Sequence, residues 1–285
     1  MSRLGTKLQV GEFVITAELA PPKGADPEAI LRKAEALERV DAVNLTDNQG
    51  ARMRMAPLAL ARILLERGHE PVLQVTCRDR NRIALQADLL GAAALGIENL
   101  LVLSGDHPRF GDHPGARPVF DLDSVQLLRG IQQLQSGIDM GGSRLQSAPH
   151  FFVGASAAPA AQPMEPALLK IVKKISCGAQ FFQTQAVFEH NQLEKFMGFL
   201  ANYRVPVILG VVLIKNVKVG EFLNRHIPGI QVPPDLLKRL ETASDPLAEG
   251  VRLARETISL ARQFCQGAHL MTFGREDLIP ALLAD

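Results

Sequence analysis

Short apolar runs alternate with longer amphipathic segments along the whole chain, and this alternation is the sequence sign of βαβ units that build a parallel sheet. The runs fall at residues 13–19, 41–46, 71–77, 99–104, 151–154, 179–185, 206–212 and 268–272. Helical spacing separates them, at about 26–37, 58–65, 83–95, 121–135, 165–174 and 247–264. Asp26 and Pro27 suit a helix start, one as a cap and the other in the first turn. Eight strands with intervening helices predict an α/β protein, a (β/α)8 TIM barrel, rather than an open sheet. No Gly-x-Gly-x-x-Gly turn follows the first run, which disfavours a dinucleotide-binding open sheet. At 285 residues, a single barrel domain over 1–285 accounts for the chain. No linker is evident, and the Gly/Ser/Gln-containing stretch 136–149 reads as a surface connection.

The formal net charge is +1, so no polyanion-binding surface is implied, and nucleic acid and anionic membranes are poor partners for such a chain. The start has no apolar segment of signal-peptide length, and no run reaches the roughly 20 apolar residues of a membrane span. The expected location is the cytosol. Cys77, Cys177 and Cys265 lie far apart with no Cys-x-x-Cys pair, so the thiols read as reduced and structural, with no zinc ribbon or iron–sulfur cluster in this chain. There is no Trp, and Tyr203 is the single Tyr, so any bound ring must be covered mainly by aliphatic, Phe or Met side chains.

On a barrel the informative residues lie at the carboxyl ends of the strands, where loops converge over the mouth. These are Glu18, Thr46, Asp47, Thr76, Asp79, Ser104, Asp106, Gln183, Gln185 and Lys215, a set rich in hydrogen-bonding groups and poor in nucleophiles. No Gly-x-Ser-x-Gly elbow or His-Glu-x-x-His occurs, which argues against covalent or zinc-dependent hydrolysis. Glu18 is placed where an apolar run meets Ala20-Pro21-Pro22-Lys23-Gly24. It is either a rim acid paired with Lys23 or an arginine, or an acid aimed at a ligand. Gly105-Asp106-His107-Pro108 is echoed by residues 111–114, Gly-Asp-His-Pro again, and here turn formation outweighs a metal site. Arg78, Arg80 and Arg82 cluster after the third run, either to hold an anion or as a solvated helix start. Lys173 and Lys174 read as a solvent face.

Several segments in order resemble the methylenetetrahydrofolate reductase family: Glu-x-x-Pro-Pro from Glu18, Val75-Thr76-Cys77-Arg78-Asp79, Leu-x-Gly-Asp-His-Pro from Leu103, Thr-Gln at Thr184-Gln185, and the run 210–215. Thr46-Asp47-Asn48-Gln49 and Cys77-Arg78-Asp79-Arg80-Asn81 resemble the branch of short bacterial members without a regulatory domain. The resemblance implies a flavin-bearing barrel, with FAD or FMN, that reduces 5,10-methylenetetrahydrofolate to 5-methyltetrahydrofolate. It also implies NAD(P)H or a reduced partner protein as electron donor. By position, Glu18 would be the general acid, and Asp106 the carboxylate beside flavin and pterin. Gln185 would bind folate, and Thr46, Gln74, Leu103, Ser104, Gly105 and Lys174 would contact the flavin.

The chain departs from better-known members of that family. Gly154-Ala155-Ser156-Ala157-Ala158-Pro159 stands where a Tyr and a His pack on the flavin, Gln74 replaces a His, and Leu19-Ala20 replaces Phe-Phe. Some relatives of this branch work with a cysteine-rich iron–sulfur or zinc partner subunit, and a homo-oligomer also fits the resemblance. Two other readings stay open: a pterin-binding barrel that transfers a methyl group to a corrinoid, and a flavin-less folate-binding subunit of a larger complex.

Overall fold

The computed structural model describes residues 2–227 and 229–284. Eight parallel strands close on themselves in chain order: β1 (Val14–Leu19), β2 (Ala42–Leu45), β3 (Pro71–Thr76), β4 (Asn99–Leu103), β5 (Phe152–Ala157), β6 (Phe181–Ala186), β7 (Val207–Val212) and β8 (Gly267–Met271). The barrel is the one the alternation predicts, each strand starting within two residues of its apolar run. The first closing pair sets Glu18 opposite Asn44, and β8 returns to β1 with His269 opposite Thr16.

Helix starts follow local chemistry. Asn81 caps the helix Arg82–Ala94 by accepting from Ile83 N and Ala84 N, each at 3.1 Å. Asp123 and Gln126 form a reciprocal capping box, which moves the start of the expected 121–135 helix to Ser124. Asp26 accepts from Glu28 N at 2.9 Å, ahead of the helix Glu28–Ala34.

A short helix, Arg3–Gln9, lies in a segment to which the sequence reading assigns no element. It closes the amino-terminal end of the barrel: Leu4 and Leu8 pack with Val14, Ala42, Val72, Leu101, Phe152, Phe181 and Ile208. Glu70 holds the helix start, its carboxylate accepting from Leu4 N at 2.8 Å and Arg3 N at 3.1 Å. A carboxylate there satisfies donors that the first turn leaves without partners and faces the positive end of the helix dipole. Above this plug the stacked rings of Phe152 and Phe181 fill the interior, their centroids 5.0 Å apart. Gly154 makes room for them: a Cβ on it would lie 2.2 Å from the Phe181 ring.

Between β7 and β8 the chain forms three helices, Val217–His226, Pro234–Thr242 and Pro246–Phe264, where the sequence reading has one. Leu223, Ile230, Val232, Leu240 and Leu253 pack with Ala186, Val212 and Ile214 as a satellite core beside the mouth. Among the described residues no helix is long and apolar enough to cross a membrane.

Candidate functional site

The carboxyl ends of the strands open into a cavity of about 240 Å3. Glu18, Gln74, Leu103, Gly105, Asp106 and Gln185 all line it, together with Gln49, Arg78, Ser156 and Gln183. The acid, the second carboxylate and the amide singled out in the sequence therefore meet in one place. Gln185 lies in an irregular stretch of its strand: pairing of β6 with β7 shifts register between Gln183 and Ala186, and Gly210 N donates to Thr184 Oγ1 at 3.0 Å. Gly210 is required there, since a Cβ would come within 2.4 Å of Thr184 O.

Glu18 is half-buried. Lys23 is not its partner; that ammonium pairs with Asp112 at 2.6 Å. Glu18 Oε1 accepts instead from Gln49 Nε2 at 2.9 Å. Burial raises the Glu18 carboxyl from 4.5 to about 7, the Gln49 amide opposes that rise, and the nearby Glu276 carboxylate adds to it. A carboxyl held near neutrality can carry a proton at physiological pH and release it there.

Asp106 is exposed at the rim, and its backbone carbonyl accepts from Arg78 at 3.3 Å. The preceding Gly105 has φ +85°, and a Cβ on it would press on Thr76 Cβ at 3.0 Å and Arg78 Cβ at 3.1 Å. Only glycine lets the backbone turn here and lie close to a ligand. Thr46 is buried, and its hydroxyl has no hydrogen-bond partner among the described residues. Ser104 is exposed, with its Oγ donating to Ser124 Oγ at 3.4 Å. Gly105, Leu101, Leu103 and the Gln74 amide line the cavity and give it an open backbone, apolar contacts and one amide, whereas Thr46 and Ser104 are not among the lining residues.

Lys174 departs from the solvent-face expectation. It is buried behind β5, with Nζ donating to Ser156 O at 2.5 Å, and burial with Lys170 nearby lowers its ammonium to about 8. Ser156 in turn lines the cavity, so Lys174 stands behind the wall of the cavity. The helical spacing from Ile171, also buried, was the sequence signal for this position.

The arginine cluster does not present free cations. Arg78 is buried and clamped by Asp79 through Nε at 2.8 Å and a terminal nitrogen at 2.7 Å. Arg80 pairs with Asp47 and with Asp88, and Arg82 pairs with Asp121 at 2.9 Å. Asp47 also accepts from Thr76 N at 2.9 Å and Thr76 Oγ1 at 2.8 Å, which ties the ends of β2 and β3 together. His107 Nδ1 accepts from Arg109 N at 3.2 Å, and His113 bonds Asp112 at 2.8 Å. Among the described residues no three His, Cys, Asp or Glu side chains are grouped to hold a metal ion. Lys215 is half-buried and does not line the cavity.

The sequence reading gave no role to the apolar side of the mouth, formed by Leu223, Ile227, Ile230, Met271 and Phe273. A short helix in a Pro/Gly-containing connection carries little periodicity by which to recognise it.

Among solved structures the barrel is similar to EDTA monooxygenase from Chelativorans sp. BNC1, with TM-score 0.60 and 12% identity over 95% of this chain and 93% of that one. It is also similar to riboflavin lyase, with TM-score 0.54 and 8% identity over 95% and 90% of the two chains. At these identities the likeness speaks for the fold alone. In sequence, methylenetetrahydrofolate reductase 2 of Schizosaccharomyces pombe is 26% identical over 63% of this chain, and a probable methylenetetrahydrofolate reductase (NADPH) of Caenorhabditis elegans is 24% identical over 76%. The matches span 29% and 32% of those relatives, less than a third of the length of each. The family profile for methylenetetrahydrofolate reductase matches residues 3–285, nearly the whole chain, and the protein belongs to that family.

Proposed function

We propose that the protein catalyses the flavin-dependent reduction of 5,10-methylenetetrahydrofolate to 5-methyltetrahydrofolate, with Glu18 as the general acid. The observation that carries this reading is a carboxyl held at about 7 beside the amide of Gln49, in a cavity shared with Asp106 and Gln185. A bound flavin supplies hydride chemistry, with FAD or FMN filling the role. Gln74, Leu103 and Gly105, which line the cavity, would hold it together with Thr46 and Ser104 at the neighbouring strand ends, and Lys174 would support the wall behind Ser156.

The chain's own part is protonation and charge. Glu18 delivers a proton to a folate nitrogen, which opens the five-membered ring and leaves a cationic iminium at N5. Asp106 places a fixed negative charge beside that cation. Gln185 hydrogen-bonds the pterin, whose ring has both donors and acceptors to offer an amide. Reducing equivalents come from NAD(P)H or from a cysteine-rich partner subunit, and the loop 154–159, which carries no aromatic ring, favours the partner.

The test is an absorbance spectrum followed by anaerobic mixing of the reduced protein with methylenetetrahydrofolate. The wild-type flavin is reoxidised by folate, whereas Glu18→Gln binds flavin and is not reoxidised. A colourless protein that binds folate, with or without a partner, points to the flavin-less or methyl-transferring readings and overturns this one. Reduction by NADH or NADPH alone identifies a pyridine nucleotide as donor, and failure of both points to the partner.

A further inference from the structure

Phe273 is the one aromatic residue among the described residues that line the cavity, and its backbone is unusual. Arg275 N donates to Thr272 O at 3.3 Å, so Thr272–Arg275 is a tight turn with Phe273 and Gly274 as its central pair. Both have positive φ, +50° and +89°. Two successive positive φ values are the signature of a turn that Gly, Asn and Asp dominate, because a side chain at the first position crowds its own backbone. A bulky ring there is strained, and 42% of its surface is exposed, so burial in the core does not repay the strain.

The turn is nevertheless pinned. Lys33 Nζ donates to Gly274 O at 3.4 Å and pairs with the buried Glu276 at 2.9 Å, and Arg275 clamps Asp277 at 2.8 Å. A strained residue held in place by its surroundings and facing a cavity is the pattern of a ligand clamp. Glu18, Gln74, Gln183 and Gln185 give the cavity polar lining, and Leu223, Ile227, Ile230, Met271 and Phe273 give it apolar lining. A ligand with a hydrogen-bonding heterocycle at one end and a plain aromatic ring next to it matches that division.

We infer that Phe273 is the aromatic platform on which the aminobenzoyl ring of a reduced folate rests, so that it positions the substrate and sets affinity for it. The inference builds on the proposed folate reduction. In an aromatic-poor chain this is the one ring, among the described residues that line the cavity, on which a ligand ring can rest.

Calorimetric titration with tetrahydrofolate and anaerobic reoxidation of the reduced protein by methylenetetrahydrofolate test it in Phe273→Gly, Phe273→Leu and Phe273→Tyr. Loss of the stacked ring raises the folate Kd about tenfold in the Gly and Leu variants. The limiting rate of reoxidation stays within about twofold, because Glu18 and Asp106 are untouched, and Tyr keeps the wild-type Kd. Phe273→Gly melts at or above the wild-type temperature, since glycine relieves the strained φ; a ring serving only to stabilise the fold would lower it. Unchanged folate Kd in both the Gly and Leu variants overturns the inference. A wild-type protein that binds tetrahydrofolate with the Phe273 dependence but does not reoxidise overturns the reductase reading while leaving the platform standing. One that binds no folate overturns both.

Discussion

Replacing Glu18 with Gln should make the fold more stable, and by an amount that depends on pH in a defined way. The unfolded chain ionises this carboxyl near 4.5, whereas in the folded protein burial holds it protonated up to about 7. Between those values the native state keeps a proton that the unfolded state has released. Native stability therefore falls as pH rises through that window, and the full cost is present above the folded value. Holding the proton from 4.5 up to about 7 corresponds to about 3 kcal/mol as an upper value. Gln carries no charge to desolvate, and its carbonyl can still accept from Gln49 Nε2. Urea denaturation of both proteins at a fixed flavin concentration, from pH 4.5 to 8, measures the difference. The stability gap in favour of Glu18→Gln should be small at pH 4.5, widen to about 3 kcal/mol by pH 7.5 and then level off. A gap that does not change with pH would show that Glu18 titrates normally and remove the physical basis for its role as an acid at neutral pH.

The hydrogen bond from Gln49 stabilises the charged form of Glu18 and opposes Glu276, so Gln49→Leu should raise the acid's apparent pKa further. The alkaline limb of the folate half-reaction should move up by about half to one pH unit, from the worth of one hydrogen bond; stopped-flow rates across pH 6–9 check it. Leu4 is fully buried in the plug beneath the barrel, and Leu4→Ala should cost about 2–4 kcal/mol in chemical denaturation while leaving the flavin spectrum unchanged.

The barrel was legible because each strand is a short apolar run and each helix an amphipathic one, and that contrast survives in a single sequence. Two kinds of element escaped. The helix Arg3–Gln9 is short, and the carboxylate of Glu70 that caps it lies more than sixty residues away, so no local pattern announces it. The helices Val217–His226 and Pro234–Thr242 flank a Pro/Gly connection, and their apolar faces become meaningful only against Val212 and Ile214 of the β7 end.

At the site, Glu18, Asp106 and Gln185 could be found because strand ends converge in a barrel whatever the separation in sequence. The burial of Lys174, which the family resemblance alone singled out, was masked in the charge pattern by Lys173, since a pair of lysines looks solvated unless the spacing from Ile171 is followed. The arginine cluster looked ready for an anion because Asp47, Asp88 and Asp121, which neutralise it, lie elsewhere in the chain. Phe273 gave no sign, because Phe is not a turn residue and its strained φ exists only in three dimensions.

The most direct measurement is the folate half-reaction itself. Protein carrying chemically reduced flavin, mixed anaerobically with methylenetetrahydrofolate, should regain the oxidised flavin spectrum and yield 5-methyltetrahydrofolate. Glu18→Gln with equal flavin content should remain reduced. Reoxidation by Glu18→Gln at the wild-type rate, or a reduced wild-type flavin that folate leaves untouched, would contradict the assignment.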